Sequence, residues 1–124
     1  MALSATPPLA RFASQMVKQT ALSTTADNHI IGAAAEVACI DLTHNGGAST
    51  TGFLKVWNDT NPTEASTVCD LCFPVTNGQR QVLVISPDVA FSSGISWAFG
   101  DAGGTGVGSA ISGGALVIAT LTST

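Results

Sequence analysis

The sequence predicts an all-β fold: a single-domain β-sandwich or a jelly-roll-like barrel with an extended N-terminal arm. From Ile30 onward, apolar and polar residues alternate with the period of two that a half-buried strand requires. Turn-forming residues separate these runs, and almost no stretch shows helical spacing. The length of 124 residues suits one domain. We therefore expect an arm over 1–29 and a β-sandwich domain over 30–124.

The N-terminal segment differs from the rest of the chain. It contains two adjacent prolines and no sustained period, and only Leu9, Phe12 and Met16 have helix-like spacing. We expect an arm, extended or with a short helix, that becomes ordered on docking. The alternative is that the segment is the first strand and its lead-in. The prolines and Arg11 interrupt any apolar run, so we predict no signal peptide and folding in a cytoplasm.

Six runs after the arm have the composition of strands. They are AAEVACIDL (34–42), GFLKVWN (52–58), STVCDLCFPV (66–75), RQVLVIS (80–86), GISWAFG (94–100) and ALVIATLT (115–122). In the first run, strict alternation would place Val37 and Cys39 on one face and Ile40 and Leu42 on the other. Pro74 cannot donate a hydrogen bond to a neighbouring strand, so it predicts an edge strand or a bulge.

Turn signals lie between most of these runs. They occur at 44–47 (HNGG), 58–62 (NDTNP), 76–78 (TNG) and 86–88 (SPD). The pair Asn77-Gly78 is the strongest, because both residue types accept the positive φ angles of a type I′ turn. It predicts a hairpin between the two strands that flank it.

Residues 100–114 are rich in glycine and contain a Gly-x-Gly-x-Gly run. A phosphate-binding glycine loop needs a following helix whose N-terminus faces the anion. Here the following residues resume the pattern of a strand, and no Gly-Lys-Ser or Gly-Lys-Thr is present. The segment therefore predicts a long flexible loop between the last two strands that serves contact rather than catalysis.

The chain carries unusually little charge. Charged residues make up 10% of it, against about 25% in typical domains, and the net charge is −4. The four basic residues are scattered, so we predict no nucleic-acid face, and no apolar run is long enough to predict a membrane-spanning helix. A surface of Thr, Ser, Asn, Gly and Ala suits packing against copies of the chain or a partner. The alternative is a neutral, Thr-rich extracellular β domain.

Cys69 and Cys72 form a Cys-x-x-Cys motif. A zinc site needs two more ligands, and Cys39, His29 and His44 provide no second pair. The motif is predicted to run along a strand, where residues three apart point to opposite faces. The two sulfurs are therefore not expected to share a metal or a disulfide.

No other group of residues predicts catalysis. Neither histidine is accompanied by a nucleophile at a sharp turn, and the acidic residues are dispersed. Asp59 lacks the spacing of a calcium-binding loop and is expected in a turn. Trp57 and Trp97 are expected to fill the core or a subunit interface. We expect no enzymatic activity, no metal and no cofactor.

A series of motifs runs through residues 52–99: a strand with Lys-x-Trp-Asn-Asp, then Phe-Pro-Val, a turn, an alternating strand, Pro-x-x-x-Ala-Phe-Ser-x-Gly and a closing strand. The positions concerned are Leu54, Lys55, Trp57, Asn58, Asp59, Phe73, Pro74, Val75, Pro87, Ala90, Phe91, Ser92 and Gly94. This order resembles small virion structural proteins of tailed bacteriophages and covers about two fifths of the chain. The Ala- and Thr-rich N-terminal segment and the three cysteines depart from that pattern.

The resemblance implies a capsid decoration, or cement, protein on the outside of the virion, made in the host cytoplasm. Such a protein stabilises the shell by binding across joints between capsid subunits. Its partners would be the major capsid protein and further copies of itself, as a homotrimer at threefold positions, with no nucleic-acid or membrane partner. The expected contact residues lie in the arm and in the glycine-rich segment: Leu9, Arg11, Phe12, Met16, Gly103, Gly104, Thr105 and Gly106.

The alternative function is a glycan-binding module on the tail or capsid that attaches to the host surface. This function would require Trp57 or Trp97 to be exposed beside polar side chains.

Overall fold

The structure, a computed structural model, describes residues 15–26, 35–45 and 51–122. These residues contain no helix. They form seven strands: β1 (Gln15–Gln19), β2 (Ala35–His44), β3 (Gly52–Trp57), β4 (Leu71–Val75), β5 (Gln79–Phe91), β6 (Ser96–Gly100) and β7 (Gly114–Thr122).

The strands form two antiparallel sheets. One has four strands in the order β1-β7-β2-β5, and the other has three in the order β4-β3-β6. The predicted all-β sandwich is confirmed, and within the described ranges neither sheet closes into a barrel. Pro74 lies on β4, which is an edge strand as predicted, so the missing N–H leaves no gap in a central ladder.

The core lies between the two sheets. The strands contribute Val37, Ile40, Leu42, Phe91, Leu116 and Ile118 from the four-stranded sheet, and Leu54, Val56, Trp97 and Phe99 from the three-stranded sheet. Each such side chain contributes about 1.5–3 kcal/mol of burial free energy. The two apolar faces therefore hold the layers together.

A bulge in β2 changes which side chains face the core. Val37 pairs with Thr120 of β7, but Cys39 pairs with Ala119, so Ala38 is an extra residue. The bulge brings Val37 and Ile40 to the same buried face. Strict alternation predicted them on opposite faces and was wrong, because period-two counting fails across an inserted residue.

Part of the predicted arm belongs to the sheet. β1 pairs with β7 along its whole length, and Val17 and Leu22 are buried in the core. For residues 15–26 this matches the alternative of a first strand, and Met16 lies in a strand rather than in a short helix. Residues 1–14 and 27–34 lie outside the described residues.

The turn at Asn77-Gly78 is not a hairpin turn. β4 and β5, which it joins, belong to different sheets, so the turn carries the chain across the sandwich. Gly78 has φ of 82°, whereas no described non-glycine residue has a positive φ. Because Gln79 N donates to Thr76 O at 3.0 Å, the conformation fits a type II turn and not type I′.

One further turn prediction fails. The backbone of 86–88 belongs to β5, whose pairing with β2 shifts register over this stretch. His44 is the last residue of β2, and its buried ring packs edge-on against Phe99 with 5.5 Å between ring centroids. Pairing with β2 overrides the local turn signal over 86–88. Of the turn predicted over 44–47, His44 ends a strand, and residues 46–47 lie outside the described residues.

The segment after β1 crosses to the three-stranded sheet. Leu22 N donates to Gly114 O and Phe99 N donates to Ser23 O, so the segment lies along β6. At its end, Ala26 N donates to Glu64 Oε1 at 2.6 Å. This bond holds the pKa of Glu64 below its ordinary value of 4.5.

The Ala26–Glu64 bond predicts a pH-dependent contact. Because the folded-state pKa of Glu64 is lowered, its stabilisation is complete above pH 4.5 and is lost as the pH falls through the folded value. We expect Glu64→Ala to speed hydrogen exchange of the Ala26 amide at neutral pH. Glu36→Ala, at an exposed strand carboxylate, should leave that rate unchanged. Equal exchange in both variants would contradict the contact.

Candidate functional site

The glycine loop (101–113) joins β6 to β7, as predicted. Hydrogen bonds close its base. Asp101 N donates to Ser109 O at 3.2 Å, Ser109 N donates to Asp101 Oδ1 at 2.6 Å, and Ala102 N donates to Val107 O at 3.2 Å. The loop is thus a small hydrogen-bonded lobe that presents its tip to solvent.

This lobe covers the outward side of the three-stranded sheet. Val107 is buried against Trp57 and Ala98, which point away from the main core. Gly103 lies against the ring of Phe53, and a Cβ at this glycine would be 2.9 Å from the ring. The close approach of loop backbone and sheet therefore depends on glycine.

Lys55 lies beneath this cover. It is central on β3, directly opposite Cys72 of β4 on one side and Ala98 of β6 on the other. Its side chain is fully buried, and its Nζ has no hydrogen-bond partner among the described residues. An ammonium group in this state is costly to bury. One feature of the sequence could have indicated it, a lysine inside the apolar run GFLKVW.

The Cys-x-x-Cys motif is arranged differently from the prediction. β4 begins at Leu71, so Cys69 precedes the strand and only Cys72 lies on it. A bend at Asp70, whose N donates to Val56 O and whose Oδ2 accepts from Asn58 N, turns the chain between them. Cys69 packs against Trp57 and Ala98, and Cys72 donates to Gly103 O, so both thiols lie on the outward side of the three-stranded sheet. The prediction of opposite faces was wrong because the motif does not run along one strand.

A second surface is the outward side of the four-stranded sheet, which we call the outer face. Met16, Ala119, Cys39 and Val84 form one row across the four strands, and Lys18, Val117, Asp41 and Val82 form the next. Met16, Val82 and Val84 are 72%, 52% and 66% exposed. Large apolar side chains are thus aligned in solvent across a pleated sheet.

One ion pair lies at the margin of this face. Arg80 donates from Nε to Asp41 Oδ1 at 2.9 Å and from Nη2 to Oδ2 at 2.7 Å. The bonds from Arg80 lower the pKa of Asp41, although slight burial acts in the opposite direction. The pair neutralises Asp41, and Lys18 remains as a charge beside the exposed apolar side chains of the outer face.

The predicted contact residues fall on separate surfaces. Met16 lies on the outer face, whereas Gly103, Gly104, Thr105 and Gly106 form the tip of the glycine loop on the opposite side of the sandwich. Leu9, Arg11 and Phe12 lie outside the described residues. Val82 and Val84 were not among the predicted contacts. Consecutive apolar residues in the run QVLVIS, which leave both faces of a strand apolar, could have indicated them.

Both tryptophans are buried. Trp57 Nε1 donates to Thr67 O at 2.9 Å, and Trp97 Nε1 donates to Gln19 Oε1 at 2.5 Å. Their expected role in packing is confirmed. The exposure that a glycan-binding platform would need is not met by either ring.

Within the described ranges, no three His, Cys, Asp or Glu side chains are grouped closely enough to hold a metal ion. In that same part of the chain, no helix has the length and apolar character needed to cross a membrane. Asp59 Oδ1 accepts from Asn61 N at 2.8 Å, which is the turn predicted there. His29 lies outside the described residues.

Comparison of the chain with protein-family models, with curated proteins and with solved structures gives no match.

Proposed function

We propose that the chain is a virion structural protein of the capsid decoration type. It binds the exterior of a capsid and bridges neighbouring copies of the major capsid protein. The observation that carries this proposal is the outer face, where Met16, Val82 and Val84 are exposed in register across the sheet. The resemblance of residues 52–99 supplies the biological setting.

The outer face has the properties of a docking surface. Apolar residues gathered on an exposed face of a soluble protein are typical of interaction sites. β5 forms an edge of its sheet in the described part of the chain, so its backbone is also available to a neighbouring strand. Binding to the assembled shell alone would stabilise the shell by mass action.

The proposal includes association of the chain with itself, as a homotrimer. A weakly charged surface allows close approach of identical copies, because little charge repulsion opposes it. The tip of the glycine loop, on the opposite side of the sandwich, would then remain free for a second contact. No described feature favours the glycan-binding alternative, since both tryptophans are buried.

The test combines light scattering with capsid binding. We expect the full chain to form oligomers and to sediment with capsids of its virus assembled without it. The double variant Val82→Lys/Val84→Lys should lose capsid binding, because it replaces two of the exposed apolar side chains of the outer face by charged ones. Both side chains are more than half exposed, so the fold should survive.

Val68→Lys is the matched control. Val68 is 73% exposed but lies in the loop before β4, away from the outer face. It should bind capsids like the unmodified chain. Binding that is unchanged in the double variant, or an unmodified chain that stays monomeric and ignores capsids, would overturn the proposal.

A further inference from the structure

The described residues bring two thiols and a buried amine together on the outward side of the three-stranded sheet. Cys72 of β4 is paired directly with Lys55 of β3. The Cys72 thiol lies 3.8 Å from the carbonyl oxygen of Gly103, to which it donates. Cys69 packs beside Trp57 and Ala98, which lie on the same side of the sheet as Lys55.

The burial of the Lys55 amine gives a separate reason to expect chemistry at these thiols. The lysine side chain is fully buried, and its Nζ has no hydrogen-bond acceptor among the described residues. A buried ammonium group without a partner is strongly disfavoured. A negative charge on the neighbouring Cys72 sulfur would supply the missing partner.

We propose that Cys69 and Cys72 form a reversible disulfide, with Lys55 stabilising the Cys72 thiolate that starts the reaction. This site is separate from the outer face and does not depend on the proposed virion role.

The exposure of the two thiols gives them different roles. Cys72 is exposed and Cys69 half-buried, so an oxidant from solvent meets Cys72 first. Partial burial raises the pKa of the Cys72 thiol, and the opposing charge of Lys55 lowers it. The thiol is therefore mostly protonated at neutral pH, which keeps its reactivity low. The charge of Lys55 favours the thiolate and so partly offsets the effect of burial on the pKa.

The reaction uses a small-molecule disulfide as oxidant. The Cys72 thiolate attacks one sulfur of oxidised glutathione, forms a mixed disulfide and releases one glutathione thiolate. Cys69 then loses its proton and attacks the Cys72 sulfur, which displaces the second glutathione. Two cysteine sulfurs are oxidised by two electrons, and one glutathione disulfide is reduced to two thiols. The new bond removes the Cys72 donor from Gly103 O and so releases one contact of the glycine loop.

The test uses the full chain carrying Cys39→Ser, which removes the cysteine of the other sheet. After incubation with oxidised glutathione, the folded chain is denatured, alkylated and weighed intact. We expect the mass to fall by two hydrogen atoms, with no thiol left to alkylate. Adding Cys69→Ser should stop the reaction at one glutathione adduct on Cys72.

Three outcomes would overturn the disulfide. They are two alkylated cysteines, one glutathione on each cysteine, and disulfide formation no faster in the folded chain than in urea. Circular dichroism on each variant confirms that the comparison is between folded chains.

Lys55→Met tests the role of the amine in the same chain. We expect alkylation of Cys72 to slow roughly tenfold at a fixed pH below its thiol pKa, the change that one pKa unit produces. Lys18→Met, at an exposed lysine of the outer face, should leave the rate unchanged. Equal rates in the two variants would remove Lys55 from the mechanism.

Discussion

Replacing Gly52 by alanine is expected to lower the free energy of unfolding by about 3 kcal/mol. The Cβ that alanine adds would overlap Phe99 Cζ and lie 2.6 Å from Phe99 Cε2. Phe99 is buried and cannot move aside, because Gly114 flanks its ring from the other sheet and His44 packs against it. The ring fills a space that two glycines create.

The backbone of Phe99 adds a second reason for a large effect. Its N–H donates to Ser23 O at 2.8 Å, so a shift of β6 would also disturb the segment that follows β1. A loss of this size should lower the thermal midpoint by about 10 °C for a domain of this length. Calorimetry or thermal circular dichroism measures it.

Gly104→Ala is the control for this prediction. A Cβ at Gly104 meets nothing within 4 Å, and its φ is not positive, so its midpoint should stay within the range of a neutral surface change. Adding Phe99→Leu to Gly52→Ala should recover part of the loss, because the shorter side chain vacates the overlap. Equal midpoints for the Gly52 and Gly104 variants would show that the ring does not occupy this space.

Lys55→Met is expected to raise the free energy of unfolding by about 2 kcal/mol. The lysine is fully buried between β4 and β6, and its Nζ has no acceptor among the described residues. Methionine has a similar volume and no charge, so it fills the same space without the cost of desolvating an ammonium group. Urea unfolding followed by tryptophan fluorescence measures the change.

Lys18→Met provides the comparison at an exposed site and should change the unfolding free energy by less than about 0.5 kcal/mol. A destabilised Lys55→Met chain would mean that the amine has a stabilising partner, and the prediction would then fail. A Lys55→Met chain that is more stable and whose Cys72 is alkylated more slowly would show a trade-off. Lys55 would then lower the stability of the fold and raise the reactivity of the Cys72 thiol.

Local sequence patterns located most of the strands, because strand formation depends largely on residues that are close together in the chain. The run STVCDLCFPV (66–75), the run GISWAFG and the closing run ALVIATLT each overlap a strand. The position of the glycine loop followed from the same patterns. The low charge also follows from composition alone, and it is one basis of the proposed association.

The tertiary structure decided which strands pair and which side chains meet. Asn77-Gly78 specifies a turn, but it does not specify whether the strands on either side pair. In the tertiary structure β4 and β5 join different sheets. The bulge at Ala38 reverses the faces of β2, and a bend at Asp70 brings Cys69 to the same side of the sheet as Cys72. Neither is encoded in residue type alone.

By itself, the sequence determined an all-β, weakly charged chain with a glycine-rich connection before its last strand. Only the tertiary structure placed Val82 and Val84 in solvent on the outer face and buried Lys55 beneath the glycine loop. The physical reason is that strand formation follows from period and propensity within a few residues. Exposure and side-chain contact instead depend on the layer that packs against each face, which comes from distant parts of the chain.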